Sequence, residues 1–217
     1  MFTVTNCIKC WNGLRAIWHH TLALVSYHSA KGTWPEAIVV GLDSDNPNRR
    51  FQDFALPKEL NPEFNDDKGP DRLYKALRDE VLPYLQKKYP IQADKQILMG
   101  HSMGGVFTWY VALRHAPPNA PLFSAYVAAD AGIGKELFVL EKWHAERAKD
   151  LPVRIFATRA IYNGPAQQIP FDALIERING RKFPGLTLKS EVLDTDHGGA
   201  LVPSYEQGLA FAFGVAP

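Results

Sequence analysis

Cysteine is scarce in this chain: of 217 residues only Cys7 and Cys10 are cysteine, in a single C-x-x-C near the N-terminus. Two thiols make at most one disulfide, which excludes a disulfide-stapled scaffold. The spacing suits a redox couple or half of a zinc site, but zinc needs two more ligands and a redox motif needs a strand before it and a helix after it. We read the pair as reduced thiols and expect no metal and no cofactor. A block of like charge is also lacking. Lys and Arg number 24 against 23 Asp and Glu, which speaks against nucleic acid and against an acidic membrane surface as partner. No apolar run reaches the roughly 20 residues that span a bilayer. The stretch "TLALVSY" is too short and too late for a secretory signal and has no clear small-residue cleavage site after it. A cytoplasmic location without a membrane partner is the expectation. Internal repeats and low-complexity tracts are missing too, which excludes solenoids and arrays.

What is present suffices for one core. With 46% hydrophobic and 12% aromatic residues, a chain of this length can bury its own interior as one compact domain. "AIVVGL", residues 37–42, reads as a buried strand that empties into a polar turn. The stretch after it, "RRFQDFALPKELNPEFNDDKGP", is rich in Pro, Asn and Asp and reads as a long surface loop. From Asp71 the apolar spacing becomes helical through Leu73, Leu77, Val81, Leu82 and Leu85, until Tyr89-Pro90 stops it. Apolar runs then recur in "QILMG", "FSAYVAA" (123–129), "VRIFAT" (153–158) and "LKSEVLD" (188–194), with helix-like or loop-like sequence between them. Strands alternating with helices imply a mostly parallel sheet with right-handed crossovers. Residues 1–30 show no clear period.

The chemistry concentrates in "ILMGHSMGGVF". Gly100-His101-Ser102-Met103-Gly104 fits G-x-S-x-G, directly after a predicted strand and opening a predicted helix, which is the context that motif requires. A serine on so sharp a turn needs small neighbours two positions away, and Gly100 and Gly104 supply that room. The turn sets Ser102 at a helix N-terminus, where free N–H groups favour negative charge, so the Met103 N–H is a candidate oxyanion donor. The plain alternative is a glycine-rich helix start with a capping serine. A serine hydroxyl attacks only when a base takes its proton. Of seven histidines, His197 lies on the loop after the last predicted strand, where the order nucleophile, acid, histidine would place the base. His101 should point away from the Ser102 hydroxyl, His115 falls at a helix end, and His144 falls in a charged helix.

These residues together resemble the putative-esterase family of α/β-hydrolases, which holds enterochelin (trilactone-siderophore) esterases and relatives of S-formylglutathione hydrolase. The likeness runs from about Trp34 to the C-terminus. It rests on "PEAIVVGLDSDNPNRRFQDF", with Arg50 and Asp53 matching the family's Arg-x-x-Asp loop, and on "LRDEVLPYLQKKY", "GHSMGG", "LFSAYVAAD" and "DTDHGGALVPSYEQGL". It implies an α/β-hydrolase fold, a mostly parallel sheet flanked by helices, with Ser102 as nucleophile and His197 as base. The family's early strands, one ending in a turn that completes the oxyanion hole, have no visible match in residues 1–33. The expectation is a divergent segment over 1–33 and a hydrolase domain over 34–217, with "AIVVGL" at an exposed sheet edge and a homodimer pairing there.

The triad acid stays open. The family's usual position, after "VRIFAT", reads Arg159-Ala160-Ile161-Tyr162-Asn163 without a carboxylate, and Asp172 lies far along. Asp130 follows the preceding strand, and Asp194 and Asp196 flank His197. Asp130 is favoured because a strand-end aspartate can point toward the imidazole, whereas an immediate neighbour usually points away. A Ser-His dyad without an acid is the remaining option. The function expected is a serine esterase acting on small or medium acyl esters, with thioesters as the next substrate class. The competing reading is a catalytically silent hydrolase fold that serves as a binding module. Between Gly132 and Asp150, Leu137, Phe138, Leu140 and Trp143 either line an acyl site or pack on the sheet.

Overall fold

The computed structural model describes residues 2–4, 13–42, 47–57, 69–116, 121–148 and 150–216; Cys7 and Cys10 lie outside them, as does the Arg50 side chain. The elements alternate: β1 (Phe2–Val4), α1 (Gly13–Ala30), β2 (Val40–Leu42), α2 (Pro47–Phe54), α3 (Gly69–Ala76), a π-helical turn Leu77–Val81, α4 (Leu82–Lys88), β3 (Ile97–His101), α5 (Met103–Arg114), β4 (Ala125–Ala129), α6 (Lys135–Arg147), β5 (Arg154–Ala160), α7 (Pro165–Arg181), β6 (Thr187–Leu193) and α8 (Leu201–Phe213). The six strands form one sheet in the order β2-β1-β3-β4-β5-β6, and every pairing is parallel.

Both faces of the central strands are covered, so β3 and β4 are buried at every residue and read as unbroken apolar runs. Alternate side chains go to opposite sides. Leu98, Tyr126, Ala128, Ile155 and Ala157 join a core with Phe107, Leu137, Leu140, Leu174 and Ile178 of α5, α6 and α7. Ile97, Met99, Val127, Ala129 and Phe156 meet Tyr205, Leu209 and Ala210 of α8, with Val25 of α1. Leu137 and Leu140 are fully buried in the first of these layers, so α6 spends them on packing and not on an acyl site.

Three sequence expectations change. The unassigned N-terminal stretch contributes a strand and a helix: β1 inserts between β2 and β3, with Val4 level with Gly100, so the sheet does carry a strand ahead of "AIVVGL". A three-residue strand gives too little pattern to be seen in sequence, and its place is set by neighbours far along the chain. The helix α1 packs on α8, where His28 stacks on Trp34 at 4.0 Å and lies 3.4 Å from Glu206. Second, the expected long loop opens with α2, which Phe54 anchors against Phe107 of α5 at a ring separation of 5.7 Å. Third, the strand in "AIVVGL" is limited to Val40–Leu42, although it is the outermost strand, as expected. No helix among the described residues is long and apolar enough to cross a membrane.

Candidate active site

Because all strands run parallel, their C-terminal ends share one edge of the sheet, the edge at which ligands bind in open α/β sheets. Ser102 follows β3, Asp130 follows β4, Asn163 comes shortly after β5 and His197 after β6. The expected turn is there: Ser102 is the N-cap of α5 with φ 60° and ψ −122°. A non-glycine residue at positive φ is strained. The backbone holds it from both sides, as the Ser102 N–H donates to the Ala129 carbonyl at 3.0 Å and the Val106 N–H to the Ser102 carbonyl at 3.1 Å. A Cβ on Gly100 would stand 2.3 Å from the Gly104 carbonyl carbon and oxygen, which is the physical reason for the glycines read from the motif. Met103 opens the helix, so its N–H has no acceptor within the helix and faces the region before it.

The structure brings Asp130 and His197 together. His197 Nδ1–H donates to Asp130 Oδ2 at 2.5 Å, across 67 residues of sequence. The other carboxylate oxygen accepts from the Ala160 N–H at 2.8 Å and from Asn163 Nδ2 at 2.7 Å. Burial pushes the Asp130 carboxyl up, but the hydrogen bonds from His197, Asn163 and Ala160 outweigh it and leave it below the ordinary value. Asp130 therefore favours the ionised form and fixes the imidazole with Nδ1 as donor, so Nε2 is the ring nitrogen turned away from the carboxylate. Asp130 itself sits at φ 43°, held by its N–H to the Thr158 carbonyl at 3.1 Å. Ser102 is brought to the same sheet edge, yet among the described residues no hydrogen bond joins its hydroxyl to His197. Such contacts are often long in ligand-free enzymes and tighten on binding.

Among the described residues no other candidate acid bonds the His197 imidazole. Asp194 and Asp196 are exposed, and Asp196 Oδ1 accepts the Gly199 N–H at 2.8 Å, ahead of α8. Asp172 pairs with Arg159 through two bonds of 2.8 and 3.0 Å. His115 lies on Asp71, and His144 bonds the carbonyls of Leu113 and Asp150. His101, 4% exposed, sets its Nε2 2.8 Å from the His197 carbonyl oxygen. The two imidazoles lie 4.5 Å apart. His101, Asp130 and His197 offer ligand atoms within 4.8 Å of one another; the Asp130 and His197 side chains bond each other, and His101 bonds the His197 backbone. Asn163 and the Ala160 N–H were missed as functional groups. The signal for Asn163 was its place in the segment that the resemblance reserves for the acid: an amide there keeps a polar group of the same shape without its charge.

Comparison with known proteins gives the family and the fold. The family described as "Putative esterase" matches residues 8–158. The ferri-bacillibactin esterase BesA of Bacillus subtilis (strain 168) is 28% identical over 123 residues, 51% of this chain and 41% of that protein; the match thus spans less than half of the relative. Among solved structures, the BES protein from Bacillus cereus superposes with a TM-score of 0.72 at 21% identity, over 98% of this chain and 83% of that one. The siderophore hydrolase EstB from Aspergillus nidulans gives 0.77 at 16% identity, over 98% and 82%. At such identities the structures speak for the fold, and the fold is the α/β-hydrolase sheet with its flanking helices.

Proposed function

The chain belongs to the putative esterase family, and from that premise we propose that it is a serine hydrolase that cleaves carboxylic esters of small or medium acyl chains. The observation that carries the reading is the Asp130–His197 pair at 2.5 Å, set on the same sheet edge as a serine in a strained strand-to-helix turn. In this mechanism Ser102 Oγ attacks the ester carbonyl while His197 Nε2 takes the hydroxyl proton, and Asp130 holds Nδ1–H and stabilises the imidazolium. The Met103 N–H donates to the oxyanion. Collapse returns the proton from Nε2 to the departing alkoxide, which leaves as the alcohol. Water, deprotonated by His197, then attacks the acyl-Ser102 ester, and the acid leaves as Ser102 recovers its proton. No step calls for a metal or cofactor.

BesA is described as an esterase of ferri-bacillibactin, so siderophore esters belong in the substrate panel beside short acyl esters and thioesters. The competing reading is a silent binding module on the same fold. Labelling with a fluorophosphonate separates the two: the wild-type chain is expected to label and Ser102→Ala to stay unlabelled. Absence of labelling in both, with turnover of no ester in the panel, sinks the hydrolase reading.

A further inference from the structure

The sheet ends on β6, and among the described residues no strand lies beyond it. At seven residues this edge is longer than the three-residue edge of β2. Its pairing with β5 fixes which backbone groups face outward. The Thr187 N–H donates to the Val153 carbonyl at 3.0 Å, and the Ile161 N–H to the Leu193 carbonyl at 2.8 Å. Backbone groups alternate sides along a strand, so the odd-numbered residues of β6 bond β5, while Leu188, Ser190 and Val192 turn their N–H and C=O groups outward. Such a row is a template for another strand.

The side chains of this edge are complementary to their own reverse order. On either side of Ser190 stand Lys189 and Glu191, and beyond them Leu188 and Val192. Lys189 and Glu191 share the face toward α8, with Nζ 3.1 Å from Oε1, and Lys189 lines a cleft there with Glu206 and Phe211. Leu188 packs on the other core layer, that of α7. Val192 is on the same face as Leu188 and is 48% exposed, at an edge where charge is the usual guard against pairing.

We propose that a second copy of this chain pairs with β6, antiparallel, about a two-fold axis at Ser190. In that register Ser190 faces the partner's Ser190, and Leu188 faces the partner's Val192. These are the residues whose backbone groups point outward, so each facing pair exchanges two hydrogen bonds. Lys189 comes opposite the partner's Glu191, and Glu191 opposite the partner's Lys189, at the close positions where Cα atoms stand about 4.5 Å apart. Moving the axis by one residue loses this match. At Lys189 it sets lysine against lysine and at Glu191 glutamate against glutamate, and like charges directly opposite destabilise a pair. A two-fold contact of this kind closes at two copies. Both sheets merge into one, and because the joined strands run antiparallel, the two serine sites open toward opposite sides and stay accessible.

Sedimentation velocity of the full chain at rising concentration tests this with two charge reversals. Wild type is expected to dimerise. Lys189→Glu alone and Glu191→Lys alone each turn both cross-strand pairs from opposite to like charge, so each should dissociate about tenfold or more readily. Mixing the two variants restores both pairs, glutamate facing lysine at each, and the dimer should return. Ser190→Pro removes an N–H that faces away from β5, which an edge strand tolerates, and should leave a folded monomer by circular dichroism. A wild-type chain that stays monomeric, a dimer untouched by either reversal, or a mixture no more dimeric than its components overturns the proposal.

Discussion

Replacing Asp130 by Asn exchanges one carboxylate oxygen for an NH₂ group and should remove most of the activity. In the native site three donors converge on the carboxylate: His197 Nδ1–H at 2.5 Å, Asn163 Nδ2 at 2.7 Å and the Ala160 N–H at 2.8 Å. An amide offers one acceptor oxygen and brings two donors of its own. If that oxygen stays with Ala160 and Asn163, the new NH₂ faces His197 Nδ1 and can bond it only when Nδ1 is the acceptor. The ring proton then moves to Nε2, the atom that must accept from Ser102, and the base is lost. The same tautomer error in a serine-protease triad lowers kcat by about 10⁴. At 1.36 kcal/mol per tenfold, that is a barrier rise of about 5.5 kcal/mol. KM should change little, because the Asp130 side chain is 1% exposed and does not reach the substrate. The assay is hydrolysis of p-nitrophenyl acetate across a pH series, with circular dichroism to show that the fold survives. A folded Asp130→Asn enzyme with kcat within about tenfold of wild type would refute the role of Asp130 and leave a Ser-His dyad.

Other outcomes follow from the same structure. Gly100→Ala drives a Cβ to 2.3 Å from the Gly104 backbone, so a loss of at least about 1–3 kcal/mol is expected, read as a lower thermal midpoint; an unchanged midpoint would mean that the elbow is looser than described. Ser102→Gly relieves the positive φ and should raise stability by about 1 kcal/mol, or about 2–4 °C, while abolishing turnover. Glu141 is fully buried and takes hydrogen bonds from Arg177 and Arg181, so Glu141→Gln should cost roughly 1–3 kcal/mol. The carboxyls of Asp71, Asp130 and Glu141 are each pushed up by burial and brought below their ordinary values by hydrogen bonds. Their stabilising contribution is therefore present above about pH 4 and lost as pH falls through the depressed values. Acid unfolding midpoints should record this, and an acid limb unmoved in Glu141→Gln would remove that residue from the account. Light scattering at rising concentration is expected to show a dimer, and one that survives both charge reversals in β6 would place the second copy at the outer edge of β2 instead; a constant monomer mass would rule out pairing at either edge.

What the sequence determines by itself is local. The run 97–101, the glycines at 100 and 104 and the helix after them are neighbours in the chain. The glycines give the elbow its room from within the segment, although the positive φ of Ser102 is held by its bond to the Ala129 carbonyl, and the buried strands β3 and β4 announce themselves by apolar runs. Helical spacing likewise exposes Leu73 to Leu85. The N-terminal strand was hidden because three residues hold no period and gain their strand character by pairing with Val40 to Leu42 on one side and with Leu98 to Gly100, nearly a hundred positions away, on the other. The choice of acid was legible only in part: placement at a strand end favoured Asp130, but several carboxylates stayed open. Asp130, Asp172, Asp194 and Asp196 are equivalent in composition. Only the side-by-side order of β4, β5 and β6 puts one of them opposite His197, turns Asp172 to Arg159, and leaves Asn163 to hold the carboxylate from behind. Hydrogen bonds reach about 3 Å, so which groups share a proton is decided by tertiary packing, which no spacing along the chain records.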